Sequence, residues 1–387
     1  MSGRTPLKVA LLIATLEQAG AEKQLTLLAR GLPREEFDVE VIALSRGGHY
    51  ERALRDAGIR VHVLGKRRKL DPRALLALRA LVRRLAPDVV HAWMFTANAY
   101  ARLALGGHGA PPVIASERGP DDWKSAWQHR LDRLLVARTS LLVVNAEVVA
   151  RQAASRGFPA QRIRVVPNGI EIPQPPRAGR NRKDGFDIPA GSHVVGYVGR
   201  LARGKRVEDL IDAVALLRAS FPDAVLVVIG DGPERAPLER RAAERGLGGA
   251  VRFLGHRADA AALVAGLDAF WLASENEGMS NSLMEAMAAG VPVVVSDIPG
   301  NRELVIDDVT GCTAPVGDPR TFADATARLW RDPTRARAIG AAAADRIRRE
   351  LSVERMVERY AQLYREVPDE RRAARGAAGA IERGAGR

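Results

Sequence analysis

Residues 193–213 read HVVGYVGRLARGKRVEDLIDA. An apolar, β-branched run ends at Gly199, Arg200 follows at once, and Lys205 stands at the threshold of an amphipathic stretch. That order predicts a strand, a tight turn and a helix. The alternation continues downstream through AVLVVIG (224–230), AVRFLG (250–255), DAFWLA (268–273) and VPVVVS (291–296). It also runs upstream through LKVALLI (7–13), DVEVIAL (38–44), RVHVL (60–64), DVVHA (88–92), PVIAS (112–116), LLVVN (141–145) and IRVVP (163–167). Between the strands lie stretches such as DPRALLALRALVRRL, with Leu75, Leu78, Val82 and Leu85 at helical spacing. Alternation of this kind makes a parallel sheet covered on both faces. It is interrupted at PNGIEIPQPPRAGRNRKDGFDIPAGS (167–192), which is rich in Pro, Gly and charge and has no periodicity. The expected α/β organisation is therefore a doubly wound domain over 1–168, a linker over 169–192 and a second doubly wound domain over 193–350. A closing helix over 351–366 carries Val353, Met356, Val357, Tyr360 and Leu363 on one face. A tail over 367–387 has no core-forming pattern and is expected to be disordered. Two such units predict a central cleft, with ligands at the carboxyl ends of the strands.

Composition narrows the function. At 387 residues the chain exceeds one ordinary core, and 47% of it is apolar, enough for two. No apolar run approaches the roughly 20 residues of a membrane span. The opening MSGRTPLKVALLIATLEQAG reads as a first strand and not a signal peptide. The single cysteine, Cys312, excludes a disulfide framework, fits a reducing cytoplasm and reads as a small buried hydrophobe. Residues 1–168 hold 27 Lys and Arg against 15 Asp and Glu, a net of +12, whereas the remainder holds 32 against 31. A basic first domain, densest at KRRK (66–69), favours an anionic partner such as a membrane face or a phosphorylated substrate. Nucleic acid is not expected, because no aromatic residues interleave the basic stretches.

Four strand-to-helix turns are candidate sites. In TLEQAGAEKQLTLLAR, Gly20 lets the backbone approach a ligand at a helix N-terminus, or simply makes a tight turn. After Gly199, the cations Arg200 and Lys205 suit a diphosphate; the plainer alternative is an ion pair of Lys205 with Glu208 or Asp209. In SENEGMSNSLMEAMAAGVPVV (274–294), Ser280 or Asn281 is a natural N-cap and Gly290 a natural C-terminal stop. Amides around Gly278, Met279, Ser280 and Asn281 suit a phosphate or sugar hydroxyls, and a carboxylate such as Glu285 suits vicinal hydroxyls. On spacing alone, Glu277 and Glu285 are equally well read as an exposed residue and a helix-dipole partner. The fourth turn, SDIPGNRELV, carries Gly300 in a Pro-Gly corner and is by itself only a turn.

Taken together, these residues resemble the retaining glycosyltransferases of family 4. The E-x7-E element is Glu277 and Glu285, the GRL…K element is Gly199-Arg200-Leu201 with Lys205, VVPNGIE resembles the family's linker entry, and AGAE (19–22) resembles its GGAE loop. The resemblance runs to about residue 365. It implies the GT-B fold, two Rossmann-like domains facing a central cleft, with the last helix crossing back to the first domain. It implies that Glu285 binds the ribose of a nucleotide-diphosphate sugar and that Glu277 lies at the transferred sugar. It further implies that Arg200 and Lys205 neutralise the departing diphosphate, that Gly20 faces that diphosphate, and that the base rests near Gly230 and Gly255-His256. Retention by front-side attack is implied, with no cofactor and no metal. Relatives often carry a histidine after the fifth strand; here the segment reads IASERGPDDW. Arg118 and the neighbouring strand's His91 are therefore acceptor-side candidates. The plainer reading of Arg118 is a salt bridge to Asp121 or Asp122.

The expectation is a cytoplasmic hexosyltransferase, peripheral at the inner face of the plasma membrane. It would act on a glycan or lipid-linked acceptor in cell-envelope or exopolysaccharide synthesis. A GT-B sugar-nucleotide epimerase or hydrolase, and a catalytically inactive nucleotide-sugar-binding subunit, are the alternatives.

Overall fold

The computed structural model describes residues 5–105, 110–173, 185–186, 188–189 and 191–367. Most of the linker expected at 169–192, and all of the tail from 368 on, lie outside the described residues. The chain divides into two compact units, Met1–Gly169 with Val353–Arg387, and Ile170–Ser352.

The first unit is built on seven strands: β1 (Leu7–Thr15), β2 (Phe37–Arg46), β3 (Arg60–Val63), β4 (Val89–Trp93), β5 (Val113–Glu117), β6 (Leu141–Val144) and β7 (Ile163–Val165). All pair in parallel, in the order β3-β2-β1-β4-β5-β6-β7. The near-continuous apolar character of β1 follows from burial on both faces. Val9, Leu11 and Ile13 pack with Leu25, Leu28, Met356 and Tyr360. Ala10 and Leu12 pack on the opposite side with Leu78, Val82 and Tyr100. The closing helix runs over 353–367 and belongs to this unit, burying Met356, Val357, Tyr360 and Tyr364. It comes so near the helix Gly20–Gly31 that a β-carbon on Gly31 would lie 2.6 Å from Val357 Cγ2.

The second unit carries six strands: β8 (Val194–Val198), β9 (Val225–Ile229), β10 (Val251–Gly255), β11 (Ala269–Leu272), β12 (Val293–Ser296) and β13 (Cys312–Ala314). They are also parallel, in the order β10-β9-β8-β11-β12-β13. In both sheets the direction of winding reverses once, between β1 and β4 and between β8 and β11. Two details differ from expectation. The strand expected at 291–296 starts at Val293, because Pro292 has no N–H to give a ladder. The edge strand β13 was not expected; it is three residues long and holds Cys312, whose buried thiol is pushed up to about 11.

Candidate functional site

In the second unit the expected site residues collect at the carboxyl ends of the strands. The turns after β8, β9 and β10 lie against one another. The N–H of Gly199 donates to Ile229 O (3.0 Å), that of Leu201 to Asp231 O (2.9 Å) and that of Gly230 to Gly255 O (2.8 Å). A β-carbon on Gly230, whose φ is +139°, would fall 1.9 Å from Gly199 O. Gly230 is thus required by close backbone packing whether or not a base lies near it. Gly255 also takes a left-handed backbone, and His256 beside it is exposed.

The turns after β8 and β11 are joined by side chains. Lys205 Nζ donates to Glu277 Oε1 at 2.6 Å, and the two side chains are 29% and 12% exposed. The same carboxylate oxygen accepts from Ser274 Oγ at 2.7 Å. Lys205 therefore does not pair with Glu208 or Asp209. Asp209 is held by Arg206, through Nε at 2.6 Å and Nη2 at 3.0 Å, while Arg206 Nη1 reaches Glu275 at 2.9 Å. Arg206, with φ at +50°, is a residue the sequence reading missed; its charge-assisted fork fixes the turn that presents Lys205. Tyr197, also unanticipated, is buried and donates to Arg200 O at 3.1 Å. Burial, and then the Glu277 charge, push its phenol well above the usual range. Arg200 itself is exposed, and among the described residues its side chain has no ion-pair partner.

The loop that carries Glu277 rests on the fourth turn. Ser296 Oγ donates to Ser274 O (2.5 Å) and Asn301 Nδ2 to Ser296 O (2.8 Å), all three residues being buried. A β-carbon on Gly300 would lie 2.1 Å from Glu277 O and 2.8 Å from Gly278 O. The Pro-Gly corner, which alone reads only as a turn, is thus the floor of the Glu277 loop. The helix that follows spans Asn281–Ala288. Ser280 is its N-cap, accepting from Leu283 N at 3.4 Å, and Gly290 ends it with φ at +72°. Glu285 lies in the second turn and is half-buried, and Met279 is buried.

In the first unit, Gly20 is exposed and opens the helix Gly20–Gly31, which has no side-chain cap. His91 stands in the middle of β4 and is fully buried, contrary to a place at the acceptor. Its Nδ1 lies 2.6 Å from Tyr364 Oη, and its ring packs against Trp93 and Tyr360, so the closing helix seals it off. Burial, and then the Arg118 charge, hold its pKa well below the ordinary histidine value. Arg118 makes no salt bridge to Asp121 or Asp122. Asp121 is taken by Lys124 and Arg156, and Asp122 by Gln152 and Arg156. The guanidinium instead stacks on Trp93, 4.3 Å from the ring centre. Among the described residues no group of three His, Cys, Asp or Glu side chains converges as a metal site.

Comparison with known proteins locates this arrangement in a family. Residues 19–173 match Glycosyltransferase Family 4, and residues 180–346 match Glycosyl transferases group 1. The lipopolysaccharide core biosynthesis glycosyltransferase LpsE of Rhizobium meliloti (strain 1021) is 30% identical over 324 residues, 82% of this chain and 87% of that protein. The glycogen synthase of Mycobacterium tuberculosis (strain ATCC 25618 / H37Rv) is 31% identical over 292 residues, 72% of this chain and 68% of that one. Among solved structures, Anabaena Alr3699/HepE in complex with UDP-glucose superposes with a TM-score of 0.82 at 23% identity, over 92% of this chain and 99% of that one. With both family matches in chain order and a 30% identical relative spanning most of each protein, this chain belongs to the glycosyltransferases, and its fold is the GT-B type.

Proposed function

We propose that the chain is a retaining glycosyltransferase that moves a hexose-type sugar from a nucleotide-diphosphate sugar to a glycan or lipid-linked acceptor in envelope or exopolysaccharide synthesis. The observation that carries this reading is the Lys205–Glu277 pair, which spans β8 and β11 at the point where the second sheet reverses its winding. Ligands of doubly wound sheets bind outside the carboxyl ends of the strands at such a point. The leaving diphosphate gathers negative charge as the glycosidic bond to the donor breaks. Arg200 and Lys205 supply fixed positive charge there, so no step in the proposal calls for a divalent ion or a cofactor. Glu277, held by Lys205 and Ser274, meets a hydroxyl of the transferred sugar, and Glu285 clamps the ribose. The donor bound by HepE and the lipopolysaccharide role in the name of LpsE support the donor class and the setting. A melting-temperature screen against UDP-, GDP-, ADP- and dTDP-sugars tests the reading. A true donor at about 100 times its dissociation constant stabilises by about 2.7 kcal/mol. No shift with any nucleotide or nucleotide sugar would sink it. Release of a free sugar without an acceptor, or of an epimer, would favour the hydrolase or epimerase alternative. A donor that binds but is never turned over would favour the inactive subunit.

Peripheral attachment to an anionic membrane is part of the same proposal. No described helix is long and apolar enough to cross a bilayer. The helix Ala126–Leu135, however, buries only Leu135. Trp127 and Leu134 are 56% and 77% exposed, Trp123 just before the helix is 58% exposed, and Arg130 and Arg133 are exposed beside them. Asp132 turns inward to Arg102 (2.5 Å) and Lys124 (2.8 Å), which leaves the outward face apolar and cationic. Tryptophan with arginine suits the boundary between acyl chains and anionic headgroups. Co-sedimentation should favour phosphatidylglycerol-containing vesicles over neutral ones, and Trp123→Ala with Trp127→Ala should abolish most of the binding. Equal binding to both vesicle types would remove this part of the proposal.

A further inference from the structure

In the first unit the half-buried Arg118 carries a positive charge that no carboxylate among the described residues neutralises, and two of its nitrogens are buried. Arg118 Nε and Nη2 have no exposed surface and meet no acceptor in good hydrogen-bond geometry among the described residues; the side chain that interacts with the guanidinium as an acceptor is the neutral phenol of Tyr360. Arg118 Nη1 donates to Val166 O at 3.4 Å. The nearby carboxylates are occupied: Glu117 and Asp132 hold Lys124, and Asp121 holds Lys124 and Arg156. The neighbouring phenols of Tyr360 and Tyr364 are pushed up by burial, so they stay protonated and lend no negative charge. A guanidinium does not shed its proton in a protein. Two further donors beside it are also unsatisfied: Trp93 Nε1, under the guanidinium, and a nitrogen of His91, Nε2, which bears a proton if Tyr364 donates to Nδ1. Buried charges are ordinarily paired or engaged by a ligand. Arg118 also stands just beyond the carboxyl end of β5, the edge at which such sheets bind ligands.

We propose that Arg118 is the core of an anion site whose counter-ion arrives with a substrate, as a phosphate or carboxylate gripped by Nε and Nη2. These two atoms form the edge of the guanidinium that binds two oxygens side by side. Assigning the anion to a substrate rests on the glycosyltransferase reading; the anion site itself does not. The group is carried either by the donor, as its diphosphate, or by the acceptor.

The test is the melting temperature of the full chain and of Arg118→Gln against inorganic phosphate, at constant ionic strength, with and without saturating UDP. Without phosphate, Arg118→Gln should melt at or above the wild type, because a charge with two buried nitrogens and no carboxylate partner has been removed. Phosphate should raise the wild-type midpoint by several degrees and leave Arg118→Gln unmoved. Arg118→Lys, which keeps the charge but not the fork, should need about tenfold more phosphate for the same shift. If UDP abolishes the wild-type phosphate response and binds Arg118→Gln about tenfold more weakly, a change of about 1.4 kcal/mol, the anion is the donor's. If the response persists beside UDP and UDP affinity is unchanged, the anion belongs to the acceptor. Equal phosphate responses in wild type and Arg118→Gln, or none in either, would overturn the site. So would an Arg118→Gln protein that melts well below the wild type while responding to phosphate as the wild type does. A donor screen without any hit would remove the glycosyltransferase mechanism and leave a positive phosphate result standing.

Discussion

The carboxyl edges of the two sheets solve opposite problems. At the edge of the second sheet, the half-buried charges satisfy one another, whereas the exposed Arg200 lacks an ion-pair partner among the described residues. Lys205 has Glu277, Arg206 has Asp209 and Glu275, and Ser274, Ser296 and Asn301 form a chain beneath them. At the edge of the first sheet, Arg118 lies against Trp93 with two nitrogens unmatched, and His91 is sealed in aromatic rings. The first pattern holds its geometry before a ligand arrives, as stabilisation of a developing charge requires. The second is complete only when something else supplies the charge.

The largest expected effect tests the preorganised edge. Lys205→Ala should lower release of nucleotide diphosphate from the donor by roughly 10²- to 10³-fold, the scale for removing one fixed charge stabiliser. Its effect on stability should be small, about 1 kcal/mol or less, because the pair is partly exposed. Turnover within a few-fold of wild type, measured by single-turnover kinetics, would break the comparison by making the pair a surface ion pair and nothing more.

Next in size is the support beneath Glu277. Gly300→Ala places a methyl 2.1 Å from Glu277 O, where the obstacle is backbone and not a flexible side chain. It should destabilise by about 1–3 kcal/mol and move Glu277 away from Lys205. Denaturant melts give the first number, and donor turnover should fall with it. A variant with wild-type stability would show that the loop yields freely, and that the edge is less preorganised than its contacts suggest.

What was legible in the sequence follows the range of the interactions. The strands were visible because burial on both faces turns β1, β8 and β12 into continuous apolar runs, whereas β13, with three residues, leaves too short a signature. The caps at Ser280 and Gly290 are local, and so readable. The partner of Lys205 was not, since Glu277 is 72 positions away and a nearer acid, Asp209, offered a false match. His91 lies within a readable strand, yet its burial is decided by Tyr360 and Tyr364, roughly 270 residues later. Gly300 looked like an ordinary turn because nothing local records that another loop's carbonyls occupy its β-carbon's place.

The smallest effect sharpens the account of the first edge. Burial and the Arg118 charge hold the His91 pKa well below its ordinary value, so the ring is neutral when folded and protonates more readily when unfolded. The charged groups and rings that face it are Arg118, Trp93, Tyr360 and Tyr364. Its contribution to stability is therefore intact above the unfolded value of about 6.5 and declines as pH falls below it, with a limiting slope near 1.4 kcal/mol per pH unit. His91→Phe should flatten the acid limb of the stability–pH curve by up to about that slope. Loss of the Tyr364 contact should lower the whole curve without tilting it. The slope, and not the offset, is the diagnostic. Parallel curves for wild type and His91→Phe would mean that the ring takes up its proton in place, beside Arg118. A setting that accepts a second positive charge so readily would be well solvated, and Arg118 would have no need of a ligand to balance it.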